Sequence, residues 1–282
     1  MRFEKKTAEL FIPDGRPEGE ALARTTHLGV AAHQDDLEIM AYDGILKCFG
    51  RDGEWFCGVT VTNGAGSPRD GLYAHYTDDD MQKIRRVEQK KAAVVGEYGS
   101  VAFLDYSSAE VKDPANAGPA RDLEALFLQT RPSVVYTHNL ADKHDTHVSV
   151  ALRTIQALRR IPEDRRPEKF LGCEVWRDFD WLADSDKVPL DVSAHENLAV
   201  ALISLYDSQI AGGKRYDIAT MGRRRANATY FASHGVDQAQ YLIYAMDMTP
   251  LLVDPNRDIV AFIEEYIGRF AREVASRIRK HA

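Results

Sequence analysis

Cysteine is scarce in this chain. There are three, Cys48, Cys57 and Cys173, an odd number with no CxxC spacing among them. That argues against a disulfide framework or a cysteine zinc knuckle and fits reduced thiols. The opening stretch "MRFEKKTAELFIPDG" lacks the apolar core of a secretion signal. No apolar run approaches the roughly 18–20 residues of a membrane span. A cytoplasmic protein with no membrane span is therefore expected. A basic excess is missing too: 36 Lys and Arg against 43 Asp and Glu give a formal net charge of −7. That argues against a nucleic-acid partner but leaves an anionic small molecule open, because local charge outweighs the sum. No GxGxxG follows the first predicted strand, so a dinucleotide site is not expected. There is no long-period repeat and no low-complexity linker.

What is present is alternation. "THLGVAAH" (26–33) reads as a buried strand and "DLEIMAYDGILKCFG" (36–50) as a helix. "EWFCGVTVTNG" (54–64) is strand-like, and "DDMQKIRRVEQKKAAVVGEYG" (79–99) is a long amphipathic helix closed by glycine. A strand at 101–106, a helix at 120–130, a strand at 132–138, a helix at 144–161 and a strand at 169–176 follow. The apolar period switches between 2 and 3.6 throughout. Such alternation implies an α/β fold, Rossmann-like, with a mainly parallel sheet and helices on both faces. From about residue 195 the pattern is helix-rich. The reading is one domain over 1–282, with its core at about 26–235 and a helical C-terminal extension over 236–282.

Ligands of open α/β sheets bind outside the carboxyl ends of the strands. Two polar clusters lie there. "HQDD" closes the first predicted strand, and "HDTH" follows the fourth, which itself ends in His138. His33 and Asp36 are three residues apart, as are His144 and His147. An i, i+3 pair shares one helix face. Two such pairs facing each other supply three or four nitrogen and oxygen ligands. Zinc suits that set, and iron or manganese tolerates it. Asp35 and Asp36 cannot both crowd one ion, so one is expected to bind it while the other takes a proton from water. The plainer alternatives are helix N-caps for the aspartates and locally bonded loop histidines.

Several stretches resemble the PIG-L/LmbE-like zinc-dependent de-N-acetylases. "AAHQDDLE" resembles their AHPDDE signature, and "THNLADKHDTHVSVALRTIQAL" their second histidine motif. "VTNGAGSPR", "RRVEQKKAAVVG" and "ALISLYDSQI" resemble the intervening and following segments, so the similarity spans roughly 26–235. The resemblance implies that His33, Asp36 and His147 bind zinc and that Asp35 is the general base. It implies that His144 stabilises the oxyanion or protonates the leaving amine, that Asp142 orients His144, and that Arg85 reaches the substrate. It further implies a small amino-sugar substrate and a homo-oligomer.

Departures from the pattern are Gln34 for a proline, Thr146 for an aspartate before the last histidine, and Ser107 and Ser108 where relatives carry a sugar-contacting turn. The role of Arg223, Arg224 and Arg225 stays open between an anionic substrate group and surface ion pairs. The expected activity is zinc-dependent hydrolysis of a linear amide, removing an N-acetyl group from an N-acetylglucosamine-type sugar. Two alternatives remain: an amidase acting on a non-sugar or thiol conjugate, and a silent zinc- or sugar-binding protein.

Overall fold

The computed structural model describes all 282 residues, Met1–Ala282. In chain order the first elements are β1 (Glu9–Phe11), α1 (Glu18–Ala23), β2 (His27–Ala31), α2 (Asp36–Met40), α3 (Tyr42–Cys48) and β3 (Phe56–Thr62). Next come α4 (Asp78–Val95), β4 (Ser100–Tyr106), α5 (Ser108–Lys112), α6 (Gly118–Thr130), β5 (Val134–His138), α7 (Asp145–Arg160) and β6 (Lys169–Cys173). The remainder is β7 (Val188–Asp191), α8 (Glu196–Ser204), α9 (Asp207–Ile210), α10 (Tyr216–Tyr230), β8 (Leu242–Asp247), α11 (Pro250–Val253) and α12 (Ile259–His281). No helix is long and apolar enough to cross a membrane.

One eight-stranded sheet runs β1-β4-β3-β2-β5-β6-β8-β7. Its centre, β4-β3-β2-β5-β6, is parallel, as the βα alternation requires. The chain winds outward from β2 through β3 to β4, then returns to β5 on the other side of β2. Strand order therefore reverses between β2 and β5. The crevice at their carboxyl ends is the place such sheets offer a ligand.

Successive residues of β2 serve opposite faces. Leu28 and Val30 join a cluster with Val59, Leu104 and Val135 on one side. Ala31 joins Leu37, Ala41 and Phe103 on the other. On that second side Leu37 of α2 lies over two glycines. A Cβ at Gly29 would sit 2.8 Å from Leu37 Cδ2, and one at Gly58 would sit 2.7 Å from Leu37 Cδ1. These bare positions let α2 press onto the sheet, which fixes where Asp36 begins. Gly58→Val is accordingly expected to cost about 1–3 kcal/mol by overpacking. Thermal unfolding checks this, and an unchanged Tm would contradict it.

The structure adds the short elements β1, α1, α5 and β7 to the sequence reading, ends β6 at Cys173, and departs from it more deeply in two places. The helix expected over 36–50 breaks at Ala41 (φ −105°, ψ 17°). After the break Gly44 backs onto the Tyr136 ring, 2.6 Å from where a Cβ would stand. The C-terminal segment does end in the long helix α12, but it first contributes β8, which pairs antiparallel with both β6 and β7. Its run "LIYAMD" is buried in five of six positions because it is a strand inside the sheet.

Candidate active site

The β2 ladder stops at Ala31, and a tight turn carries the chain into α2. Asp35 closes that turn at φ 101°, a conformation few residues other than glycine adopt. The turn folds Asp36 back so that its Oδ2 accepts the His33 backbone N–H at 2.8 Å and faces His33 Nδ1 at 3.2 Å. From the neighbouring strand, the loop after β5 is tied down by Asp142. Its Oδ1 accepts the His144 backbone N–H at 2.9 Å, and its Oδ2 accepts the Trp176 N–H at 3.1 Å. The first turn of α7 then presents His147, whose Nε2 lies 3.2 Å from His33 Nδ1 and 3.5 Å from Asp36 Oδ2.

Three donor atoms thus form a triangle with edges of 3.2, 3.2 and 3.5 Å. An ion about 2.0–2.1 Å from nitrogen and oxygen donors at tetrahedral angles separates those donors by about 3.3 Å. His33, Asp36 and His147 therefore fit a divalent cation. The far nitrogen of His147, Nδ1, has no hydrogen bond and faces Asp142 Oδ2 at 3.5 Å. Carboxylates stand behind ligand imidazoles in this way and fix their tautomer.

The charges agree with the geometry. Burial pushes the Asp36 carboxyl up, but His147, His138 and His33 overcome it and hold the group below the ordinary carboxylate range. Burial brings His33 down to about 4, opposed by its contact with Asp36. A deprotonated imidazole beside an ionised carboxylate is the state a cation requires.

Asp35 differs from Asp36. Its Oδ1 lies 3.5 Å from Arg85 Nη2, the one guanidinium beside it. Burial raises it well above the usual value; Arg85 pulls it down, and the nearby carboxylates of Asp36, Glu38 and Glu88 push it up again. Arg85 is buried and anchored: it donates to the Gln34 carbonyl at 2.7 Å, to the Gly64 carbonyl at 3.3 Å and to Ser67 Oγ. Arg86, next to it on α4, instead pairs with Glu9 and Asp105 and plays no part here.

His144 stands at the side of the triangle. Its ring stacks on His147 (4.5 Å between centroids, 25°) and meets His33 edge-on at 5.1 Å. Burial, then His147, lowers its pKa, and its Nδ1 has no partner in the protein. Asp142 was expected to orient this ring. It reaches His144 only through the backbone, and its free oxygen faces His147, because the first turn of α7 stacks His147 between His138 and His144. His138 lies 3.6 Å from Asp36 Oδ2, but its Nε2 already accepts the Ala32 N–H at 2.9 Å. That bond occupies the lone pair, so although His138 lies near Asp36 and His147 its Nε2 supports the strand end and is not free to meet a cation.

A cavity of about 580 Å³ opens over these groups. His33, Asp35, Asp36, Arg85 and His144 line it. The "NGAGSPR" loop, Ser108 and Thr146 line it as well, so three segments marked by their departures or loop chemistry do reach the site. Ser107 instead caps α5, accepting the Glu110 N–H. Trp176, Lys214 and Tyr216 were not singled out from sequence, yet all three line the cavity. Trp176 had a usable signal, since it closes a predicted strand at the carboxyl edge. Lys214 lies in the loop before α10 and Tyr216 opens that helix, and neither carries a signal in the sequence. Gln209 belongs to the "YDSQI" resemblance and also faces the cavity. His75 and His195 are exposed and lie outside the cavity lining.

Residues 28–158 match the model of the PIG-L family, described as GlcNAc-PI de-N-acetylase. In structure the chain is similar to N,N'-diacetylchitobiose deacetylase from Pyrococcus horikoshii, at 14% identity over 86% of this chain and 90% of that one, with a TM-score of 0.62. It is similar to GalB, the 4-carboxy-2-hydroxymuconate hydratase from Pseudomonas putida KT2440, at 17% identity over 79% and 95%, with a TM-score of 0.61. A deacetylase of the teicoplanin biosynthesis pathway gives 15% identity over 79% and 97%, with a TM-score of 0.58. At these identities the likeness is one of fold. No curated protein matches the sequence.

Proposed function

We propose, from the match of residues 28–158 to the PIG-L family model, that this chain is a metal-dependent amide hydrolase. It removes the N-acetyl group from an N-acetylglucosamine-type sugar or its conjugate. The fold alone does not choose this reaction, since the same fold carries a hydratase. The observation that carries the proposal is the donor triangle with a separate buried carboxylate, Asp35, facing the same cavity. A silent binding protein has no use for that second carboxylate.

His33, Asp36 and His147 would hold the ion, and zinc is the metal this donor set suits best. When bound, such an ion lowers the pKa of water and polarises an acyl oxygen. Asp35 takes the proton of the attacking water; its raised affinity for a proton makes it a stronger base than an exposed carboxylate. Arg85, 3.5 Å away, opposes that rise and holds the Asp35 side chain in place. His144, beside the triangle and lining the cavity, faces the developing oxyanion and passes a proton to the departing nitrogen, made good by the one Asp35 took from the water. Water and amide are consumed, and acetate and a free amine leave.

The test is a panel of N-acetylglucosaminyl compounds with zinc-loaded protein. Acetate and amine are expected in equal amounts, and both should stop on chelation. Release from acetylated non-sugar amines alone would move the substrate elsewhere. Absence of release from every amide would overturn the hydrolase reading.

A further inference from the structure

A second cavity of about 430 Å³ adjoins the first and shares Ile39, Trp176, Lys214 and Tyr216 with it. Its character is different. Lys143, Lys214, Arg215, Arg223 and Arg224 line it, against one carboxylate, Glu174. This is a concentration of positive charge in a chain whose acids outnumber its bases by 43 to 36.

Most of that charge is uncompensated. Arg215 is paired, both of its contacts going to Asp217 at 2.7 and 2.9 Å. The other four cations form no ion pair. Lys143 is exposed beside His144. Lys214 Nζ lies 5.3 Å over the Trp176 ring. Arg223 donates to the Val175 carbonyl. Arg224 is 2% exposed, and its Nη2 donates to the carbonyls of Glu38 and Ile39 at 2.7 and 3.2 Å while its Nε has no partner. Glu174 turns one oxygen inward, accepting from Asn227 Nδ2 at 2.5 Å and from the Tyr244 N–H at 3.2 Å. Burial lifts it to about 7, so near neutrality it cancels less than one full charge.

Like charges gathered on the wall of a cleft repel one another and focus a field into it. Trp176 is the bridge between the compartments: its ring lies 6.3 Å from His144 on one side and carries Lys214 on the other. We infer that this second compartment binds an anionic group, a carboxylate or phosphate, on the part of the substrate remote from the acetyl group, with Lys143, Lys214 and Arg223 as its contacts. The inference rests on the amide-hydrolase reading for the identity of the acyl end, but not for the anion site itself. Trp176 is then the platform across which the two ends of one conjugate are held, and Arg224, fixed beneath, supplies charge without moving.

The test uses metal-loaded protein carrying Asp35→Asn, so that binding is read by calorimetry without turnover. The probes are carboxymethyl N-acetylglucosaminide, N-acetylglucosamine 1-phosphate, the neutral methyl ester of the first, and inorganic phosphate. At least one anionic glucosaminide should bind at least about tenfold tighter than the ester, as charge-assisted contacts imply. Which one does so separates carboxylate from phosphate. Adding Lys143→Gln and Lys214→Gln, both at exposed positions, should erase the preference and leave the ester unaffected. Equal binding of the charged and neutral compounds, or a preference that survives both substitutions, overturns the inference. If no glucosaminide binds but inorganic phosphate does, and the lysine substitutions weaken it about tenfold or more, the sugar reading fails and the anion site stands. If phosphate does not bind either, the site fails too.

Discussion

Asp35→Asn is expected to cut turnover by about 10²–10⁴-fold, the usual contribution of a general base, while leaving metal content and Tm near wild type. The substitution is unusually clean. Asp35 holds φ 101° in the turn before α2, and asparagine is one of the few residues that tolerates such backbone. It keeps the shape of the side chain beside Arg85 and removes the carboxylate's charge and its ability to accept a proton. A bulky or β-branched residue there would strain the turn that also positions Asp36, and would confuse a chemical effect with a structural one. Amine release, metal content and thermal unfolding measured on one preparation separate the two. Unchanged turnover would remove Asp35 from the reaction. Lost metal would mean it belongs to the ligand set.

His147→Ala is expected to lose the ion. It removes one of only three donors, and the two that remain, His33 and Asp36, come from a single turn. The fall in affinity should exceed the ~10–100-fold typical of losing a group behind a ligand. Asp142→Asn provides that milder comparison, since Asp142 faces the far nitrogen of His147. A graded series, with Asp142→Asn intermediate and His147→Ala strongest, is the expected order in a metal titration. The alanine also opens a gap between the His138 and His144 rings, which stack on His147 at 3.9 and 4.5 Å, so some loss of Tm accompanies it. Metal binding equal to wild type in His147→Ala would break the ligand assignment.

Much of this site is local in sequence, which is why it was legible there. His33 and Asp36 follow a strand whose burial is written as an unbroken apolar run, and His144 and His147 open a strongly periodic helix. Strand ends and helix starts on contiguous text place both clusters at carboxyl ends of the sheet; that β2 and β5 are neighbours comes from the structure. What was not legible depends on distant segments. β7 has four residues, one of them Pro189, and survives as a strand because it lies at the sheet edge, where a missing N–H costs little. Lys214 and Tyr216 reach the cavity only because α9 and α10 fold over the carboxyl edge. Three consecutive arginines read alike in the sequence but have three different fates. Arg223 lines the second cavity, Arg224 is buried under it against Tyr42, and Arg225 bonds at the surface to the Gln240 carbonyl.

One ion is expected among His33 Nδ1, Asp36 Oδ2 and His147 Nε2. Anomalous diffraction at the zinc edge, from crystals of zinc-loaded protein, tests it most directly. A single strong peak is expected inside that triangle, open to the cavity on its fourth side. A peak at another cluster, such as His27, Cys48 and Glu54 at the opposite end of β2, or no peak in protein that releases amine, would contradict it.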